Sequence, residues 1–212
     1  MSDQRVESVN VGKARPVPWG SLKHSAIDKR PVDGPVRVVP LGLETDEIAD
    51  QRHHGGPDKA VYAFAGEDLD SWSVEFDRAI PPGGFGENLT TRGIDLNDVR
   101  VGDRWQIGSV LLEAAGVRIP CSVFAGFVDQ PRWVRRFTEN GRPGIYFRVL
   151  EPGHLRAGDA IHVVDKRSHS VTIGLMFRAL TTEQTLLPRL LDEPRVAYEA
   201  RQRAERYVAR NG

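Results

Sequence analysis

Glycine and proline punctuation constrains this chain more than any other feature. Its 212 residues include 21 glycines and 14 prolines, and up to about Val164 these cut the sequence into short apolar or alternating runs. Helix interiors tolerate neither residue well, whereas a strand needs only about five residues between turns. The runs at residues 60–64, 103–107, 110–114, 145–150 and 160–164 read as strands. Asp33-Gly34, set between Lys29-Arg30-Pro31-Val32 and Val36-Arg37-Val38-Val39, predicts a hairpin turn between two short strands. The stretches Val101-Gly102-Asp103-Arg104-Trp105 and Ala157-Gly158-Asp159-Ala160-Ile161 look alike, each a Gly-Asp turn that launches an apolar strand. Many short strands with weak repetition favour a barrel or sandwich over an open parallel sheet. Helical inserts are expected at residues 66–76, where Leu69, Trp72 and Phe76 fall at helical spacing, and at 122–128 and 131–138.

From Ser168 the texture changes to apolar residues at three- and four-residue spacings, which predicts three short helices at 171–180, 182–191 and 195–209. The expected organisation is a mainly β body over residues 1–166 and a three-helix appendage over 167–212. Arg201, Arg203, Arg206 and Arg210 in the last helix read as a solvated face rather than a DNA-reading helix.

Formal net charge is +0, from 29 basic and 29 acidic residues, so no general field draws the chain to nucleic acid or to an anionic membrane. No apolar run approaches the roughly 20 residues of a membrane-spanning helix, and a cytoplasmic location is expected. A single cysteine, Cys121, excludes an internal disulfide, an all-cysteine zinc site and a cysteine-held iron–sulfur cluster within the chain.

That cysteine sits in Gly116-Val117-Arg118-Ile119-Pro120-Cys121-Ser122-Val123-Phe124. Pro120 denies Ile119 a helical conformation, and Ser122 onward can begin a helix. A thiol near a helix start and near Arg118 is favoured as thiolate; equally, a lone cysteine often serves as a small buried hydrophobe. Three other stretches carry reactive groups. Gln51-Arg52-His53-His54-Gly55-Gly56-Pro57-Asp58-Lys59 offers imidazoles, a carboxylate, cations and glycines that let backbone N–H groups approach an anion. Pro81-Pro82-Gly83-Gly84-Phe85-Gly86-Glu87-Asn88-Leu89 offers Glu87 as a proton carrier and Asn88 to orient a heterocycle. In Gly141-Arg142-Pro143-Gly144, Arg142 is a candidate phosphate clamp. Each also reads as an ordinary surface turn. No GxSxG elbow, Walker loop or GxGxxG occurs.

In this order, Gly42-Leu43-Glu44-Thr45-Asp46, the His54 to Val61 stretch, Gly84 to Leu89, Arg118 to Cys121 and Gly141 to Gly144 together resemble the MOSC domain, named for the C-terminal domain of molybdenum cofactor sulfurase, and its YiiM-like bacterial subgroup. Lys23-His24-Ser25-Ala26-Ile27 also fits. The resemblance implies a distorted β-barrel followed by a small three-helix appendage. It implies a pterin-based molybdenum cofactor with Cys121 as a ligand of the metal, a role that suits a soft thiolate. Carried over residue by residue, His54 and Glu87 join Cys121 as catalytic candidates. Lys23, Ser25, Gly55, Gly56, Asp58, Lys59, Asn88, Arg118 and Arg142 become candidates for holding the cofactor. The wider family is also linked to pyridoxal phosphate, the property of another sulfurase domain, and no lysine here has a Schiff-base context.

The implied activity is reduction of N-hydroxylated compounds, such as hydroxylaminopurine base analogues and amidoximes, by oxygen transfer to molybdenum. Electrons would come from a separate reductase, and the protein would act as a monomer or homodimer with neither membrane nor nucleic acid as partner. Two alternatives use the same residues: a sulfur carrier working through a persulfide on Cys121, and a carrier that binds the cofactor and hands it on without turnover.

Overall fold

A computed structural model of the chain describes residues 4–19, 23–49 and 55–212. His53 and His54 lie outside the described residues. The strands are β1 (Arg5–Gly12), β2 (Arg15–Pro16), β3 (His24–Ser25), β4 (Lys29–Pro31), β5 (Val36–Val39), β6 (Gly42–Leu43), β7 (Val61–Ala65), β8 (Leu89–Arg92), β9 (Arg104–Ile107), β10 (Val110–Gly116), β11 (Ile145–Glu151), β12 (Gly153–Leu155) and β13 (Ile161–Asp165). The helices are α1 (Gly66–Phe76), α2 (Ser122–Val128), α3 (Trp133–Asn140), α4 (Ile173–Leu180) and α5 (Tyr198–Asn211).

One sheet runs β13-β9-β10-β11-β7-β8-β1-β4, beside a small sheet β12-β5-β6 and the pair β2-β3. All five residues of β7 are buried, as a strand covered on both faces requires. It pairs parallel to β8, with Ala63 opposite Leu89. A parallel pair needs a long crossover, and α1 with the glycine-rich loop after it supplies one. That topology sets Glu87 and Asn88, just ahead of β8, beside the start of β7.

The two ends of the sheet approach each other where Val6 donates its N–H to Asp159 O (2.9 Å) and Gly158 donates to Val6 O (2.8 Å). Arg5 and Ala160 form a single antiparallel bridge there. The expected sheet-rich body with helical inserts and a helical C-terminal part is present. A closed barrel is not established: among the described residues this contact is one bridge, and no ladder joins β13 to β1 or β4.

The predicted hairpin at Asp33-Gly34 is a correction. Gly34 does take the left-handed turn, φ 77°, yet β4 pairs with β1 and β5 pairs with β12 and β6. The turn separates two sheets instead of folding one strand onto the next. The Gly-Asp repeat, by contrast, is one turn used twice. Asp103 Oδ2 accepts from Arg100 N–H and Asp159 Oδ2 from Arg156 N–H, both at 2.9 Å. The strands so launched, β9 and β13, pair antiparallel.

Trp72, Phe85, Phe124, Trp133 and Phe137 interlock at centroid distances of 4.7 to 6.3 Å, bringing α1, α2, α3 and the glycine-rich loop onto one aromatic core. Phe177 of α4 meets Phe137 edge-on at 6.3 Å. The middle C-terminal segment is a 3₁₀ helix, Gln184–Asp192, because Pro188 inside it removes an α-helical donor. The start of α5 is tied to the sheet by Ala197 N–H to Ala115 O (3.0 Å).

Candidate functional site

A cavity opens where β10 gives way to α2. Val117 to Pro120 cross from strand to helix, and Cys121 follows in an extended conformation (φ −124°, ψ 173°) immediately before Ser122. Its half-buried thiol lines the cavity. Arg118 enters the same cavity although it is only 5% exposed. Its guanidinium lies 4.1 Å from the Phe124 ring centroid and 5.1 Å from that of Tyr62. Nη1 donates to Phe85 O at 3.0 Å, while Nε is buried with no partner. Burial alone would lower its pKa, but Tyr146, Tyr62, Cys121 and Glu87 outweigh it, so the guanidinium stays charged.

Opposite stand three polar residues bound to one another. The Lys29 ammonium is paired with the Asp46 carboxylate. Asp46 also accepts from Gly12 N–H (2.7 Å) and from Asn88 Nδ2 (2.9 Å). Asn88 Oδ1 in turn accepts from Tyr62 N–H at 3.2 Å, fixing the amide across the start of β7. Ser25 lines the wall beside them, its hydroxyl accepting from Ile27 N–H at 3.2 Å. Tyr62 and Tyr146 complete the floor with ring centroids 5.0 Å apart. Burial pushes both phenols above their ordinary pKa.

The structure thus gathers Ser25, Lys59, Asn88, Arg118 and Cys121, all expected from the sequence, around one space. Other candidates are placed elsewhere. Glu87 is fully buried, and its carboxylate accepts from Gly83 N–H (2.6 Å), Phe85 N–H (3.0 Å) and Thr90 Oγ1 (2.9 Å). Burial raises its pKa against those hydrogen bonds, and it braces the glycine-rich loop instead of facing the cavity. Arg142 pairs with Asp68 and Asp95 beyond the end of α3. Asp58 accepts from Arg148 Nε and from the Tyr198 N–H, both at 2.7 Å. Lys23 is exposed, and Gly55 and Gly56 precede the 3₁₀ turn Pro57–Lys59. His54 lies outside the described residues. Sequence reasoning missed Lys29, Asp46, Tyr62 and Tyr146; Asp46 ends the Gly42 to Asp46 stretch already singled out, and its partner 17 residues earlier gave no local signal.

A family model described as the MOSC domain matches residues 50–162. This chain belongs to the MOSC domain family. Protein YiiM of Escherichia coli (strain K12) is 34% identical over 164 residues, covering 76% of this chain and 72% of that protein. A protein named reductase from Gibberella moniliformis is 32% identical over 166 residues, 74% of this chain but 29% of that protein. The crystal structure of YiiM from Geobacillus stearothermophilus matches with a TM-score of 0.81 at 27% identity, covering 96% of this chain and 98% of that one. Of the stretches that suggested a YiiM-like MOSC protein, those carrying Asp46, Lys59, Asn88, Arg118 and Cys121 line the cavity, whereas Gly141–Gly144 does not.

Proposed function

We propose that this MOSC protein is an oxidoreductase that reduces N-hydroxylated compounds with a pterin-based molybdenum cofactor held in the Cys121 cavity. The observation that carries the reading is a half-buried thiol sharing one cavity with a charged, buried guanidinium that keeps a donor unused. The donor set fits the group. A thiolate is a soft ligand for a metal, and Arg118 offers a desolvated cation to an anionic cofactor. When bound, the cofactor supplies the two-electron couple.

The chain's own residues bind, orient and exclude water. Asn88 is held in one orientation, its amide hydrogens given to Asp46 and to Asn10 O and its Oδ1 accepting from Tyr62 N–H. The Tyr62 and Tyr146 rings give the cavity apolar walls. Cation–π contacts with Phe124 and Tyr62 stop Arg118 from swinging away. Overall, R–NH–OH takes up two electrons and two protons; the N–O bond breaks, and R–NH₂ and water leave. The electrons come from a separate reductase. Lys29 and Lys59 are the ammonium groups on the cavity wall, and Lys29 is the one proposed to hold a proton for this chemistry.

The test is metal and pterin analysis of protein made in a cofactor-competent host, with a reduction assay on hydroxylaminopurine and an amidoxime using a chemical electron donor. Bound molybdenum with turnover is expected. A persulfide on Cys121 found by mass spectrometry, without molybdenum or turnover, would replace this reading with the sulfur carrier.

A further inference from the structure

A second hollow adjoins the first and shares Lys59 and Tyr146 with it. Its floor is apolar, from Val117, Met176 and Leu180, and its outer wall is α5. Glu199, Gln202, Arg203 and Arg206 all line it. They follow the i, i+3, i+4, i+7 spacing of one helical face. The acids of this wall are already engaged: Glu199 with Lys59 at 2.8 Å, and Asp58 with Arg148 and the Tyr198 N–H. Arg203 and Arg206 pair with no carboxylate among the described residues. Two uncompensated guanidiniums on one face form an anion-binding wall. They lie four and seven residues beyond Glu199, about 6 and 10 Å along the axis at the helical rise per residue.

We infer that this hollow is a substrate subsite for a nucleotide, with Arg203 and Arg206 holding its phosphate and its base reaching the first cavity across the shared Lys59 and Tyr146. The inference rests on the reductase reading of the cavity and names its substrate class: an N-hydroxylated nucleoside monophosphate in preference to the free base. A bare base has no charge to offer the two guanidiniums, whereas a 5′-phosphate carries its charge away from the ring by the length of a ribose.

Calorimetry with adenosine monophosphate and with adenine, the unreactive amine forms, tests it independently of turnover. The wild-type protein is expected to bind the monophosphate at least tenfold more tightly than adenine, with a preference that weakens as salt is raised. In Arg203→Gln/Arg206→Gln, with its fold checked by circular dichroism, the ratio is expected to fall to within twofold of one. A wild-type ratio near one, or a preference that survives the double substitution, would overturn the subsite. Loss of bound molybdenum and pterin from the double variant would also overturn it, by assigning the cations to the cofactor. If the nucleotide preference appears and depends on the arginines while the loaded protein reduces no hydroxylaminopurine in any form, the reductase reading fails and the subsite stands.

Discussion

Lys29 and Asp46 hold opposite charges on side chains only 9% and 7% exposed. Removing one partner strands the other in a place water barely reaches, at a cost of about 3–5 kcal/mol. Lys29→Met should therefore destabilise by that order in urea unfolding, and Lys29→Met/Asp46→Asn should recover part of the loss. The pH dependence has a definite sign. Burial lowers the Lys29 pKa from 10.5, against the pull of Asp46, so the native chain sheds this proton before the unfolded chain does. The penalty for keeping a buried Lys29 charged is complete below the native value and disappears as pH rises to 10.5, so stability rises across that window. The stability difference between wild type and Lys29→Met should thus widen as pH is raised from neutrality towards 10.5; a difference that narrows would contradict the assignment. Glu87 behaves as a brace, since an amide in its place presents a donor to at least one of the N–H groups it now satisfies. Glu87→Gln should cost about 2 kcal/mol while the loaded protein keeps its turnover well below its melting temperature. A variant of unchanged stability and no turnover would restore Glu87 as the proton carrier expected from the sequence.

The glycine-rich loop and β4 are held by a contact that leaves no room for a side chain. Gly83 sits at φ 83°, and a Cβ there would stand 2.5 Å from Lys29 O. Gly83→Ala combines a left-handed backbone with that clash and should cost about 2 kcal/mol or more in thermal unfolding. The same elements show how far the sequence could be read. Residues 66–76 and 122–128 were legible to the residue, because helical spacing and a proline stop are local signals. Asp33-Gly34 misled, because a turn's conformation does not say which strand its arms will pair with. Arg142 misled for a related reason: its carboxylate partners, Asp68 and Asp95, lie 74 and 47 residues away. Cys121, Arg118 and Asn88, which the sequence singles out at bends marked by glycine and proline, are brought to one cavity by the fold. Lys29 and Asp46 were missed as site residues because each looks like an ordinary strand-end charge until the fold buries both.

At the scale of the whole molecule, α5 is fastened beside the cavity through Asp58. Its carboxylate joins Arg148 of β11 to the first N–H of α5. Asp58→Ala should leave the sheet intact and speed hydrogen exchange of the Tyr198 to Ala204 amides at least tenfold relative to those of β10. Uniform loss of protection would instead make Asp58 part of the global fold. The fold around this fastening sets one thiol, one buried guanidinium and a pair of oriented polar groups against a common space, and the proposed function makes Cys121 its chemical centre. Molybdenum content and hydroxylaminopurine reduction, measured together on wild type and Cys121→Ser from the same cofactor-competent host, test that centre most directly. The expected result is a metal-bearing, active wild type beside a stably folded serine variant that has lost turnover. A serine variant that keeps full turnover with its cofactor loaded would contradict it.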